Sequence, residues 1–287
     1  MAMNEAPWPA PAKINLFLHV TGRREDGYHL LQTLFQFLSR CDEIAIRLRE
    51  DRRLVRIGGL AEVPPEEDLV IRAARLLAET TGVRRGAEIE LTKLIPHGGG
   101  LGGGSSDAAT VLVALNELWE TGLDTNELAE LGLRLGADVP VFVHGYAAWA
   151  EGVGERLEVV EPVEPWYLVV TPPVAVSTAE VFAAPELTRN TPPATISDFL
   201  SGSCGNDCEA VVCARYPEVG EALEWLRGRG AARMTGTGSS LFLPFATLAE
   251  ASRVQVELPA RWLSFIARGM NRSPLLDRLQ RERDRRR

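Results

Sequence analysis

The chain lacks an apolar run long enough to cross a bilayer, and it has too few cysteines for a disulfide framework. Three of its four cysteines, Cys204, Cys208 and Cys213, lie close together, but without the spacing or the nearby histidine of a zinc site. We therefore expect Cys41 and these three to be free thiols. Residues 1–11 have neither the basic start nor the apolar core of an export signal. These absences predict a cytoplasmic protein.

Positive charge is also in deficit, because 39 acidic residues outnumber 31 basic ones and give a net charge of −8. This balance argues against a nucleic-acid partner and against an anionic membrane surface. An apolar content of 45% fits a globular protein with one large core or two modest ones. We expect a small-molecule ligand, and a chain that is a monomer or a weak homodimer.

What the chain does have is a dense glycine cluster at Pro96–Asp107, with the sequence PHGGGLGGGSSD. Apolar alternation over Ala87–Ile95 predicts a strand before it, and helical periodicity predicts a helix that begins at Ser105–Ser106. Glycine lets backbone N–H groups approach a ligand closely, and a helix start adds unpaired N–H groups and a positive dipole end. The order strand, glycine loop, helix predicts a phosphate cradle; a flexible linker is the alternative.

Other phosphate-binding loops fit this cluster poorly. The P-loop is excluded because no Gly-Lys pair occurs in the chain. Gly98, Gly100 and Gly103 match the dinucleotide fingerprint, but Asp124, the acid at the right distance, falls in a polar turn instead of at a strand end. The loop of protein kinases is disfavoured because neither His-Arg-Asp nor Asp-Phe-Gly follows.

The remaining pattern mixes helices and strands without strict alternation, which predicts an α+β fold. A proline-rich change of composition at Glu155–Pro173 predicts a boundary between a first domain, residues 1–160, and a second, residues 161–287. We expect the arginine-rich end, Leu275–Arg287, to be a solvated and frayed helix. The predicted strands are Ala12–Val20, Gln32–Leu38, Glu43–Leu48 and Trp166–Thr171; the predicted helices are Asp68–Glu79, Thr125–Leu135, Cys208–Arg215, Val219–Arg227 and Leu248–Leu258.

Two charged residues stand among apolar neighbours. Asp138 lies in the run Gly136–Val143, where an unpaired carboxylate would be costly, so it is either paired or functional; a helix cap is the alternative. Lys13 shares one face of a strand with Asn15, so it is either functional there or a lysine that snorkels from a sheet edge.

Two further segments are associated with turns. His29 comes directly after a turn, where it either binds a ligand or is a surface residue. The second glycine motif, Thr235–Ser240, is typical of a turn between strands. Paired with the first glycine loop, it could also close over the phosphates of a ligand.

Five motifs together resemble the GHMP small-molecule kinases over about residues 10–274. They are PAKINL at Pro11–Leu16, DGYH at Asp26–His29, the glycine cluster, GADVP at Gly136–Pro140 and TGTGSS at Thr235–Ser240. The resemblance implies a two-domain α+β fold with the active site in the cleft between the domains. The ATP-binding residues that it implies are Pro96, His97, Gly98, Gly99, Gly100, Leu101, Gly102, Gly103, Gly104, Ser105 and Ser106.

The resemblance also implies the reaction. ATP, with Mg²⁺, would phosphorylate the C2 hydroxyl of 4-diphosphocytidyl-2-C-methyl-D-erythritol, a step of non-mevalonate isoprenoid precursor biosynthesis. Asp138 matches the catalytic base and Lys13 its catalytic partner, and Ser106 is a candidate Mg²⁺ ligand whose companions stay open. The substrate-binding residues that it implies are Asn15, Tyr28, His29, Phe35 and Phe182.

Two departures and two alternatives accompany this resemblance. His97 stands where the family often has Met or Val, and Gly99 where it often has Ala, and both residues are compatible with the loop. Asp68 stands where the family usually has Asn, near the expected adenine pocket, and an acid there could change the base contacts. A non-catalytic nucleotide sensor of this fold should have lost Asp138 or Lys13, but both are present. A kinase for mevalonate or a sugar would have no use for Tyr28 and His29, because its substrate carries no cytosine.

Overall fold

The structure is a computed structural model that describes residues 6–25, 27–61, 63–64 and 66–286; Asp26 of the DGYH motif lies outside them. Within the described residues, ten strands form one mixed sheet accompanied by ten helices. The strands are β1 (Trp8–Arg23), β2 (His29–Arg49), β3 (Leu54–Gly58), β4 (Gly86–Thr92), β5 (Ala148–Gly152), β6 (Arg156–Val159), β7 (Trp166–Thr171), β8 (Arg233–Met234), β9 (Leu241–Phe245) and β10 (Leu263–Met270). The helices are α1 (Leu69–Thr81), α2 (Gly103–Trp119), α3 (Thr125–Leu133), α4 (Val139–His144), α5 (Thr178–Ala183), α6 (Ile196–Leu200), α7 (Glu209–Arg215), α8 (Pro217–Arg227), α9 (Leu248–Val256) and α10 (Pro274–Arg286). The predicted mixture of helices and strands is confirmed.

Strand β2 organises the sheet. One of its edges pairs with β1, and the other pairs in turn with β5, β10 and β4. The predicted strands Gln32–Leu38 and Glu43–Leu48 are both extended, but they are parts of one strand of 21 residues, because the polar segment Ser39–Asp42 joins them. Pairing with β1 keeps this segment extended, since Cys41 lies opposite Pro11 and Asp42 lies opposite Ala10.

Each half of the chain has its own apolar core. The first surrounds α2, which packs against β1, α1 and α4 and is buried around most of its circumference. The second gathers residues of α7, α8, β7 and β9. A third cluster, with Ile14 and Phe17 of β1 against Tyr167 and Phe242, joins the two halves. Strand β1 therefore runs between the two cores.

Strand β1 meets loops at the edge that faces away from β2. The backbone N–H of Lys13 donates to the Leu101 carbonyl at 2.9 Å. The N–H of Asn15 donates to the Thr235 hydroxyl at 2.9 Å. An edge without a full ladder also tolerates Pro11, which has no N–H to donate. Both glycine segments are therefore attached to the same strand, two residues apart.

Helix α2 begins at Gly103, two residues before the predicted start at Ser105–Ser106. Gly102 precedes it with φ = 71°, a left-handed conformation that glycine adopts without steric cost. The N–H of Ser106 already donates to the Gly102 carbonyl at 2.8 Å, so both serines lie inside the first turn. The loop therefore ends on a glycine that leads straight into the helix.

The arginine-rich end is not a frayed helix, which corrects the prediction for Leu275–Arg287 over its described part. Helix α10 packs against the first core, and Arg278 is 2% exposed. The Arg278 guanidinium donates to the Glu282 carboxylate at 2.8 Å and to the Ala6 carbonyl at 3.1 Å, and it lies 4.2 Å from the centre of the Trp8 ring. A planar guanidinium with partners on several sides can be buried where the sequence shows only charge.

We expect Arg278→Leu to lower the free energy of unfolding by about 3–5 kcal/mol, because it leaves the buried Glu282 carboxylate without its closest cation. Urea unfolding followed by circular dichroism measures the change. The matched control is Arg281→Leu on the exposed side of α10, which should stay within about 0.5 kcal/mol of the unmodified protein. Equal, small effects of both substitutions would contradict this account of α10.

Candidate active site

Three adjoining cavities form a groove from the glycine loop to the start of β2. The first, 210 Å³, is lined by residues 96–105 together with Leu69 and Lys93. The middle cavity, 350 Å³, shares Ser105 with the first. The outer cavity, 530 Å³, shares Phe182 with the middle one and extends to His29. A long ligand can therefore contact all three along one continuous path.

The two glycine segments lie against each other at the inner end of the groove. The Ser240 N–H donates to the Gly99 carbonyl at 3.1 Å. A Cβ on Gly100 would lie 2.6 Å from the Thr235 carbonyl oxygen, so only glycine fits this approach. The second motif is indeed a turn between β8 and β9, and the structure brings this turn against the first loop as well.

Lys13 and Asp138 meet in the middle cavity. The Lys13 ammonium lies 3.1 Å from a carboxylate oxygen of Asp138 and donates to the side-chain oxygen of Asn15 at 2.7 Å. It also lies 5.3 Å from the centre of the Phe35 ring. The Lys13 side chain is only 4% exposed, whereas that of Asp138 is 32% exposed. The carboxylate thus faces the groove, and the ammonium supports it from behind.

The structural alternatives for this pair do not hold. Lys13 does not snorkel to solvent, because it is buried along its length. Asp138 occupies the N-cap position of α4, but its side chain accepts no capping hydrogen bond. Because the carboxylate does not cap the helix, it can pair with Lys13 and interact with a ligand in the groove.

The outer cavity contains the aromatic residues implied by the resemblance. His29 stacks on Phe182 with the ring centres 4.9 Å apart and an angle of 22° between the planes. Tyr28 lines the same cavity from the turn before β2. Burial lowers the pKa of His29, and the nearby cations Arg189 and Arg23 lower it further, so the surroundings favour the neutral imidazole. His29 is therefore part of a half-buried ring pair, not an isolated surface residue.

The two other residues implied for the substrate, Asn15 and Phe35, lie deeper, in the middle cavity. The Asn15 side-chain NH₂ donates to the Thr33 hydroxyl at 2.9 Å, which fixes its oxygen toward Lys13. The structure thus brings all five implied substrate residues to two neighbouring cavities.

Lys93 was missed by the motif analysis, although it lines the first cavity. Its ammonium binds the Asp107 carboxylate at 2.6 Å and also pairs with Asp42. Burial raises the pKa of Asp107 to about 7, although Lys93 acts in the opposite direction. A Cβ on Gly103 would lie 3.3 Å from the Lys93 ammonium, so this charge cluster stands at the first turn of α2. The signal was present in the composition: Lys13 and Lys93 are the chain's only lysines, against 29 arginines.

Asp68 and Ser106 are the two remaining candidate residues. Asp68 caps α1 by accepting the Val70 N–H at 2.8 Å, and it pairs with Arg56. Among the residues found to line the first cavity, its neighbour Leu69 appears and Asp68 does not. Ser106 is fully buried, and within the described part of the chain its hydroxyl has no hydrogen-bond partner.

Comparison with known proteins identifies the family. The family model described as "GHMP kinases N terminal domain" matches residues 68–146, and the model described as "GHMP kinases C terminal" matches residues 186–263. A 4-diphosphocytidyl-2-C-methyl-D-erythritol kinase of Alkalilimnicola ehrlichii is 62% identical over 96% of this chain and 95% of its own length. The chain belongs to this family of GHMP kinases.

Two more comparisons agree with this assignment. A 4-diphosphocytidyl-2-C-methyl-D-erythritol kinase of Nitrosococcus oceani is 58% identical over 95% of this chain and 98% of its own length. The crystal structure of a 4-(cytidine 5'-diphospho)-2C-methyl-D-erythritol kinase is 36% identical and has a TM-score of 0.79, with 91% of this chain and 98% of that chain covered. The two-domain α+β GHMP kinase fold is therefore confirmed. Among the described residues of this kinase, no helix has the length and apolar character needed to span a membrane.

We expect Gly104→Val to lower the affinity for a non-hydrolysable ATP analogue at least about tenfold. Gly104 lines the first cavity, and an added Cβ would meet only Leu69, at 3.4 Å, so the side chain fills the cradle and keeps phosphate from the N–H groups. Calorimetry measures the affinity.

The matched control for the cradle is Gly220→Val in α8, where the nearest atom to an added Cβ is 3.5 Å away and belongs to Cys213. Both variants place valine in a helix, so they share its modest cost in helix propensity. An unchanged affinity in folded Gly104→Val would mean that the phosphates bind elsewhere.

Proposed function

We propose that the protein transfers the γ-phosphoryl group of ATP to the C2 hydroxyl of 4-diphosphocytidyl-2-C-methyl-D-erythritol, in non-mevalonate isoprenoid precursor biosynthesis. The observation that carries the proposal is the Lys13–Asp138 pair, at 3.1 Å, between a glycine-loop cavity and an aromatic cavity. The names of the relatives support the choice of substrate. A phosphate donor at one end and a cytidine at the other would bring their reacting atoms together at this pair.

Asp138 acts as the general base. A tertiary hydroxyl is a weak nucleophile at neutral pH, so a carboxylate that accepts its proton assists the attack. The hydroxyl oxygen bonds to the γ-phosphorus while the bond to the β,γ-bridging oxygen breaks, and ADP leaves with the electron pair. Lys13 orients the Asp138 carboxylate, and its ammonium offsets negative charge on the transferred group.

Residues 96–106 hold the ATP phosphates through backbone N–H groups, and Lys93 adds a cation at the first turn of α2. Ser106 fits a Mg²⁺ ligand because its buried hydroxyl lacks a partner among the described residues. Magnesium usually takes its other ligands from substrate phosphates, water and one or two carboxylates. When bound, the ion neutralises the charge of the β- and γ-phosphates.

The cytosine binds between aromatic rings in the outer cavity, formed by Tyr28, His29 and Phe182. Asn15 and Phe35 contact the methylerythritol unit near Lys13. In this arrangement residues 1–160 carry the ATP loop, and residues 161–287 carry the second glycine turn that closes on it. The enzyme works in the cytoplasm as a monomer or a weak homodimer, without nucleic-acid or membrane partners.

The experiment that tests this function measures ADP release with the diphosphocytidyl substrate and, in parallel, with mevalonate, phosphomevalonate, homoserine and galactose. We expect turnover with the cytidine substrate alone, because only this compound reaches from the aromatic cavity to Asp138. Faster turnover with any other acceptor would reject the proposed substrate and retain a GHMP kinase of another specificity.

We expect Asp138→Asn to lower kcat at least about 100-fold while the affinity for the ATP analogue stays within about twofold, because the amide cannot accept the proton. Steady-state kinetics and calorimetry supply the two numbers. The control is Asp124→Asn at the start of α3, a carboxylate that caps a helix away from the groove. Near-normal turnover of folded Asp138→Asn would exclude this residue as the base.

A further inference from the structure

One hydrogen bond in the outer cavity determines which nitrogen of His29 carries the proton. The Arg189 Nε–H donates to His29 Nε2 at 3.1 Å. A guanidinium is always protonated and cannot accept, so Nε2 must be the unprotonated nitrogen of the ring. The single proton of the neutral ring therefore sits on Nδ1.

Three of the other four N–H groups of Arg189 also have partners, which hold the guanidinium in place. One terminal nitrogen donates to the Leu187 carbonyl at 3.0 Å, and the other donates to the carbonyls of Phe182 at 2.8 Å and Ala184 at 2.6 Å. Arg189 thus binds the end of α5, which carries the Phe182 ring, and the His29 ring stacked on it. Both rings of the pair are oriented by the same planar group.

We propose that Arg189 is a positioning residue that locks His29 as an Nδ1–H donor and thereby makes the outer cavity select cytosine over uracil. Cytosine presents an acceptor at N3, where uracil presents an N–H. A histidine that was free to exchange its tautomers could serve either base, since each ring nitrogen can donate or accept. With Nε2 bound to Arg189, the ring cannot turn its acceptor toward the ligand without leaving a guanidinium N–H unpaired.

The inference rests on the proposed function for its ligand, but the tautomer is a property of the free protein. Long-range ¹⁵N–¹H correlation spectra of ligand-free protein at pH 7.5 report which ring nitrogen carries the proton. The chain has four histidines, and the signals that disappear in His29→Gln belong to His29. We expect the Nδ1–H tautomer; an Nε2–H or doubly protonated ring in the unmodified protein would overturn the proposal.

The second measurement is the ratio of affinities for cytidine 5′-diphosphate and uridine 5′-diphosphate, by calorimetry. We expect a preference of at least about tenfold for the cytidine compound, as the loss of a buried hydrogen bond predicts. In Arg189→Met the preference should fall to about twofold or less, and His29 should show a mixture of both tautomers. Arg189→Lys should restore the Nδ1–H form, because its ammonium can donate to Nε2.

The matched control is Arg215→Met. Arg215 pairs at 2.9 Å with Glu186, a residue on the same segment as Arg189, and the substitution removes a cation without removing a hydrogen bond to His29. It should change neither the tautomer nor the preference. A purely structural role for Arg189 predicts weaker binding of both diphosphates at an unchanged ratio, and this result would overturn the proposal even if the tautomer is as expected.

Failure of the proposed function gives a different result. In that case the acceptor assay shows no turnover with the diphosphocytidyl substrate, while the His29 spectra are unaffected. If Arg189→Met does not fold, Arg189→Lys and the unmodified protein still decide the matter: the Nδ1–H form together with an affinity ratio near one in either protein would overturn the assignment of specificity.

Discussion

The groove depends on one backbone constraint, namely that strand β1 uses its two edges differently. One edge pairs with β2, and the other gives its N–H groups to loops, with Lys13 bonded to Leu101 and Asn15 bonded to Thr235. Side chains of alternate strand residues share a face, so Lys13 and Asn15 point into the space between these loops. The same two residues thus anchor both glycine segments by their backbones and supply the polar floor of the groove by their side chains. A strand with ladders on both edges would have left no place for the loops to meet.

Electrostatics then explains why Lys13 and Lys93 are lysines in a chain that otherwise uses arginine. A buried ammonium is a compact charge with three donors, whereas a guanidinium is a planar fork that needs room for several partners. Lys13 meets Asp138, Asn15 and the Phe35 ring from different directions, which suits the smaller group. Arg278 and Arg189 show the opposite case, since each guanidinium donates to more than one partner.

The sequence predicts the groove better than it predicts the sheet. Pattern and turn chemistry were enough for the glycine loop, the helix after Asp124 and the strand Trp166–Thr171, because each has strong local signals. The continuous β2 could not be predicted, since Ser39–Asp42 is polar and is kept extended only by partners remote in sequence. Arg278 was misjudged for a related reason: burial of a charged helix face depends on Trp8 and Ala6, more than 260 residues earlier. Arg189 carries no motif at all, and only the position of His29 gives it a role.

An acidic protein that binds two polyphosphates needs its positive potential to be local. Here the net charge of −8 coexists with a groove whose inner end offers backbone N–H groups and Lys93, and whose centre offers Lys13. These charges are partly compensated by Asp42, Asp107 and Asp138, so they act at short range and do not create a basic surface. At the outer end the groove has aromatic rings, and burial and neighbouring cations favour the neutral form of His29 by lowering its pKa. One base is then distinguished from another by whether His29 offers it a hydrogen-bond donor or an acceptor, and not by charge.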